Sequence, residues 1–266
     1  MGSDFPLANK FIKVGSDLRK FVNIVHREGI SHGIRIVKAT LFYRLCAWEG
    51  RRFDVAYHVE TAQPTHLENL STSSDDVIGY PYVGTSPWVL RTAIDLLPKR
   101  LDQFVFVDIG CGKGRVVLVA AERKFKRVVG IDIAEELLDV ARKNVKHFQE
   151  HCANTTQIEI IKSDATKFAW PPENLVLQYF AAPSNDRGVL NMVLQNAYQS
   201  YSENPREMYL IVVNDHGEYQ LDNVPFLKNV SSQPSVSAWI CKMIFSLNVY
   251  KFVRAVGGTS VAEHTA

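Results

Sequence analysis

At 266 residues, with 46% hydrophobic and 22% charged side chains and a net charge of +2, the chain can bury one sizeable core with a small appendage. No apolar stretch approaches the ~20 residues needed to span a bilayer, and no signal-peptide pattern opens the sequence, so a cytoplasmic location is expected. Cys46, Cys111, Cys152 and Cys241 are far apart and form no Cys-x-x-Cys pair, which argues against a disulfide framework and against a zinc site.

Residues 10–52 hold ten Lys or Arg against three acids, a balance of +7 that leaves −5 for the remainder. Leu18, Phe21, Val22 and Val25, then Ile34, Val37, Leu41, Phe42 and Leu45, recur at spacings that predict two amphipathic helices divided near Gly29 to Gly33. Their basic face leaves three readings open: the solvated outside of a packed cap, a lid or homodimer contact, and a weak contact with a membrane surface. Further on, Ser86 and Pro87 read as the N-cap and first-turn proline of a helix that Pro98 ends.

Phe104 to Val107 is unbroken and aromatic or β-branched, which suits a strand buried on both faces of a parallel sheet. The segment FVFVDIGCGKG then sets Gly110, Gly112 and Gly114 at every second position, where backbone N–H groups can approach a ligand with no side chain between, and a helix begins at once with RVVLVAA. A second strand, Arg127 to Ile131, ends in Asp132, 22 residues after Gly110, a position from which an acid can bond both hydroxyls of a ribose. Asp108 precedes the glycines by two residues; it would repel a pyrophosphate but could hold the ammonium of an amino acid, which favours S-adenosylmethionine over NAD. Beyond these, Ala134 to about His151 predicts a helix, Ile158 to Ile161 a third strand, Leu175 to Phe180 a fourth, Asn185 to about Tyr201 a helix and Met208 to Val213 a fifth strand. Phe226 to Ser232 and Ala238 to Val253 have strand composition, with no long helix expected between them. The alternation implies an α/β fold with a doubly wound, mostly parallel sheet, preceded by an N-terminal helical cap.

The run VFVDIGCGKGRVVLVAAERKFKRVVGIDIAEELLDVARKNV resembles the cofactor half of a class I S-adenosylmethionine-dependent methyltransferase. The resemblance implies a seven-stranded sheet closed by a terminal antiparallel hairpin, with S-adenosyl-L-methionine as cofactor and S-adenosyl-L-homocysteine as product. SDATKFAW resembles the family's third-strand segment and would set Asp164, with Ala165 beside it, against the adenine, while Ile133 adjoins the ribose acid. PYVGTSPWVL resembles the segment that would bring Tyr82 and Thr85 beside the methionine end. On this reading residues 1–75 form a helical cap or lid, 76–256 the methyltransferase domain and 257–266 a flexible tail.

The chemistry is less local. Many N-methylating relatives carry Asn or Asp followed by prolines after strand four, and here Ala181 or Ala182 stands in that place before Pro183. Tyr179 could orient an acceptor, wall the methyl pocket or simply pack. His216, after strand five, could serve as a general base or be merely solvated. His58 and His66 could reach the site from a lid, and His147, His151 and Cys152 have a spacing that could hold a metal but lie at the wrong end of their helix. The expected activity is methyl transfer to a small molecule with no nucleic-acid partner. A lysine-type protein methyltransferase is the alternative, and a non-catalytic cofactor-binding protein or an NAD dehydrogenase is a third reading.

Overall fold

The computed structural model describes residues 26, 29–63, 84–153, 156–180, 187–213, 220–231 and 236–255. Among them seven strands form one sheet: β1 Phe104–Ile109, β2 Arg127–Asp132, β3 Gln157–Lys162, β4 Asn174–Phe180, β5 Met208–Val213, β6 Leu227–Asn229 and β7 Asn248–Phe252. Their order is β3-β2-β1-β4-β5-β7-β6. The first five are parallel, while β7 runs antiparallel to both β5 and β6. All six residues of β1 and all six of β5 are buried, as strands covered by helices on both faces require. The order reverses between β1 and β4, and crevices at such a switch point are where open α/β sheets take their ligands.

Helices cover both faces. On one face α5, Arg187–Glu203, packs Leu190, Val193 and Leu194 onto Val105, Val107, Ile109, Leu177 and Val212. The other face, with Phe104, Phe106, Val176 and Ile211, is covered by α1 Ile30–Tyr57, α2 Pro87–Asp95, α3 Arg115–Ala121, α4 Glu135–His151 and α6 Val236–Phe245.

Two elements differ from the sequence expectation. The stretch from Ala238 was expected to be extended, yet Val236–Phe245 is a ten-residue helix and only Asn248–Phe252 joins the sheet. Ala238 and Cys241 are buried one turn apart, and α6 packs against α1 and α2. A short, mostly apolar run carries neither a clear strand period nor a clear helix period, so tertiary packing decides. The antiparallel end of the sheet is present, but a helix joins its last two strands.

The second difference is at the N-terminus. Helix α1 begins directly after Gly29, whose φ of 85° breaks the chain there, and Gly33 lies inside the helix, donating to the Gly29 carbonyl at 3.2 Å. The expected first helix, with Leu18, Phe21, Val22 and Val25, lies outside the described residues, as does the 257–266 tail; of Ile34, Leu41 and Phe42 only the helical backbone is described. Cys46 and Phe53 of α1 belong to the same apolar cluster as Phe104 and Phe106, with Leu45 packed against it. Over this half α1 is part of the core of the sheet domain. Its outward side shows Arg44, Trp48, Arg51, Arg52 and Val55 to solvent.

Candidate active site

The carboxyl ends of β1, β2 and β3 converge on the glycine turn. Gly110 takes φ 75° and a Cβ built on it would meet nothing within 4 Å, so the space before it is open. The turn is pinned from behind, because the Gly110 and Cys111 N–H groups both donate to the Ile131 carbonyl at 2.9 Å. Gly130, opposite Asp108 in β2, has no room for a side chain: its Cβ would lie 2.7 Å from Val117. That close approach seats α3 on the sheet.

The three acids have three different environments. Asp108 is 2% exposed, and its Oδ2 has no hydrogen-bond partner among the described residues. Burial first, and the nearby Asp132 second, push its carboxyl well above the usual carboxylate range. Asp132 accepts from the Gly112 N–H at 2.8 Å and the Ala134 N–H at 2.9 Å, tying the glycine turn to the end of β2; burial raises its pKa although these bonds oppose the shift. Asp164, at the end of β3, is exposed and caps a short 3-10 turn, Ala165–Lys167, accepting from the Thr166 N–H at 2.9 Å and its hydroxyl at 2.7 Å. Those bonds hold its carboxyl below the usual value. Ile133 is exposed beside Asp132, and Ala165 is half-buried.

The sequence reading missed a buried polar network behind the turn. Arg115, 3% exposed, donates from Nε to the Thr61 hydroxyl at 2.8 Å, from one terminal nitrogen to the Thr61 carbonyl, and from the other to the carbonyls of Gly84 at 2.9 Å and Thr85 at 3.5 Å. Gly50 makes room for it, since a Cβ there would fall 2.5 Å from the guanidinium. Lys113 donates to Glu60 Oε1 at 3.1 Å and the Gln63 carbonyl at 3.0 Å. Asn144 of α4 closes the network, accepting from the Glu60 N–H at 2.8 Å and donating to the Lys113 carbonyl at 2.9 Å. The residues on either side of segment 64–83 are thereby fastened to the glycine turn. A signal was present: Lys113 and Arg115 are two cations in a turn and helix start whose other neighbours are small or apolar, and such cations are buried only with partners.

The remaining candidates fall as follows. Thr85 is buried beside Arg115, and Tyr82, His66 and His216 lie outside the described residues, as does Ala181-Ala182-Pro183. Ser86 is the N-cap of α2 as expected, but its hydroxyl does not cap the helix; Glu49 of α1 does, accepting from the Trp88 N–H at 2.9 Å. Tyr179 is near the carboxyl end of β4, 7% exposed, in the cluster beneath α5 and hence on the opposite face of the sheet from Asp108. His58 ends α1 with φ 55°; its ring lies 4.3 Å from that of His151, and its carbonyl is 3.0 Å from His147 Nδ1. This histidine group sits toward the C-terminal end of α4, away from the glycine turn. Among the described residues no cluster of three or more His, Cys, Asp or Glu could hold a metal ion.

Residues 106–200 match a family model described as a methyltransferase domain. The matched region, which holds β2 to β4 and the glycine turn, is thus similar in sequence to a methyltransferase domain. The chain is similar to a protein-lysine N-methyltransferase of Saccharolobus islandicus, 34% identical over 67 residues, which are 25% of this chain and 41% of that protein. It is also similar to the N-demethylindolmycin N-methyltransferase of Streptomyces griseus, 32% identical over 82 residues, 31% of this chain and 32% of the other. The matches thus span less than half the length of either relative. Among solved structures, an RNA methyltransferase from Salinibacter ruber in complex with S-adenosyl-L-homocysteine is 19% identical, with a TM-score of 0.42 over 68% of this chain and 100% of that one. No helix among the described residues is long and apolar enough to cross a membrane.

Proposed function

We propose that the chain transfers the methyl group of S-adenosylmethionine to a small-molecule acceptor. The observation that carries this reading is the buried Asp108 carboxyl group, whose Oδ2 has no partner among the described residues, beside the open face of Gly110. An orphaned acceptor of this kind suits an ammonium group and disfavours a pyrophosphate. Each Asp132 oxygen already accepts one backbone N–H and keeps a second lone pair, which is what two ribose hydroxyls need. Asp164, Ile133 and Ala165 flank the adenine in this reading, with Tyr82 and Thr85 toward the methionine end.

Held by Asp108, Asp132 and Asp164, S-adenosylmethionine would supply an electrophilic methyl carbon for displacement by the acceptor, with sulfur as the leaving group. For such a displacement the protein contributes mainly alignment, and His216 is the candidate to take a proton where the acceptor must lose one. The small-acceptor reading draws support from the anchoring of Glu60, Thr61, Gln63 and Gly84 to Lys113 and Arg115 beside the glycine turn. The lysine-type alternative draws support from the Saccharolobus relative. Incubation with methyl-labelled cofactor and a cell lysate separated into metabolite and protein fractions tests the choice. Label in the low-mass fraction is expected, and label confined to protein would overturn the small-molecule reading.

A further inference from the structure

Within the ladder joining β1 to β4, Asp108 pairs with Gln178 and Ile109 with Tyr179. Ile109 and Tyr179 belong to the cluster under α5, so the alternation of the pleat turns Asp108 and Gln178 together to the other face. Gln178 is 1% exposed, and its Nε2, like Asp108 Oδ2, has no hydrogen-bond partner among the described residues. The backbones of a residue with a buried orphan acceptor and a residue with a buried orphan donor are therefore one strand spacing, about 4.8 Å, apart at the switch point of the sheet. On the outer sides the ladder offers them no polar side chain: Asp108 faces Gly130 across β2 and Gln178 faces Ile211 across β5.

We propose that Gln178 binds the amino-acid end of S-adenosylmethionine, donating from Nε2 to its α-carboxylate while Asp108 accepts from its ammonium. A zwitterion carries both groups on one carbon, so a donor and an acceptor side by side match it as a unit. The ligand's carboxylate needs a donor here, because Asp108 alone would repel it. Among the described residues, the two cations of the turn are engaged elsewhere. Arg115 bonds Thr61, Gly84 and Thr85, Lys113 bonds Glu60 and Gln63, and the N-terminus of α2 is capped by Glu49.

Gln178→Met keeps the side-chain length and removes the donor, and two probes separate the amino-acid end from the nucleoside end. S-adenosylhomocysteine carries both ends; 5′-methylthioadenosine lacks the amino acid. Calorimetric titration should show the variant binding S-adenosylhomocysteine about tenfold or more weakly with 5′-methylthioadenosine unchanged, and the free variant should melt no lower than the parent, since an unsatisfied buried amide has gone. An unchanged affinity for S-adenosylhomocysteine, or an equal loss for both probes, would overturn the proposal. Gln178→Glu is the second variant: it places an acceptor where the donor stood, should lose more affinity for S-adenosylhomocysteine than the Met variant, and would count against the proposal by binding as the parent does.

Discussion

On the α5 side of the sheet, Ile109, Leu177, Tyr179 and Val212 meet Leu190, Val193 and Leu194 in an apolar cluster. On the opposite side, one residue along the same strands, stand Asp108 and Gln178, with Lys113, Arg115 and Asn144 buried nearby. The pleat lets a single strand stabilise the fold through one face and prepare chemistry through the other. Burial of apolar area contributes about 25 cal/mol per Å² on the first face. On the second, orphaned polar atoms cost stability until a ligand completes them.

If the faces are separable, damage to the first should cost folding and spare binding. Leu194→Ala removes a nearly fully buried side chain from the apolar cluster and should lower unfolding free energy by about 2–5 kcal/mol in urea titrations. Its affinity for S-adenosylhomocysteine, measured where the variant is fully folded, should match the parent's. A loss beyond about threefold would show that the two faces are coupled.

Asp108→Asn probes the other face. It should weaken S-adenosylhomocysteine binding by about 1.5–3 kcal/mol, the contribution of a charge-assisted hydrogen bond. It should also change how the free protein responds to pH. Because the carboxyl of Asp108 is raised, the folded state keeps a proton that the unfolded chain releases above about pH 4. The stability from this group is therefore full below that pH and is lost as pH climbs toward the folded-state value. Asp132, also raised by burial, adds a decline of the same sign. Melting temperatures between pH 4 and 8 should fall less steeply for the Asn variant than for the parent, and parallel curves would show that Asp108 does not titrate in this way.

The glycine turn gives a smaller effect. Gly110→Ala forces a Cβ onto a residue with φ 75°, which costs about 1–2 kcal/mol, but the new methyl would meet no protein atom within 4 Å. Free-protein stability should fall by that backbone strain alone, while S-adenosylhomocysteine binding falls further because the methyl enters the space the ligand needs. Calorimetry on the folded variant checks this; equal affinity would mean the open space is not the cradle.

How much of this could be read in the chain beforehand follows the range of the interactions involved. The strand Met208–Val213 was expected with the bounds observed, and β1 to β4 within two residues of theirs, because buried parallel strands are written as local apolar runs closed by turn residues. The glycine turn and Asp108 were legible for the same reason: their chemistry sits within a few consecutive positions. Arg115 was not, because its partners are Thr61, Gly84 and Thr85, the nearest of them thirty residues away. Gln178 was missed because its meaning depends on its register with Asp108, which sequence does not print. Helix α6 was read as a strand because a short, mostly apolar run fits both periods. The second role of α1, capping α2 through Glu49, depends likewise on a contact across 39 residues. Removing residues 1–52 would take away Cys46 and Glu49 with any lid, so truncation tests folding before it tests turnover.

Tyr179 gives the finest test of the two-face comparison, because it lies at the carboxyl edge yet turns its ring toward α5. Tyr179→Phe keeps the ring and removes only the hydroxyl, so stability should change by less than about 1.5 kcal/mol. Affinity for S-adenosylhomocysteine should be unaltered, since Asp108 and Gln178 are on the other face. Transfer of label to the acceptor fraction should also proceed at the parent rate, because a ring packed in the apolar cluster contributes volume and not proton transfer. A tenfold drop in that rate, with cofactor affinity and melting temperature unchanged, would mean that the hydroxyl reaches over the edge to the acceptor. Tyr179 would then be a catalytic residue, and the boundary between the two faces would lie one strand position further toward α5.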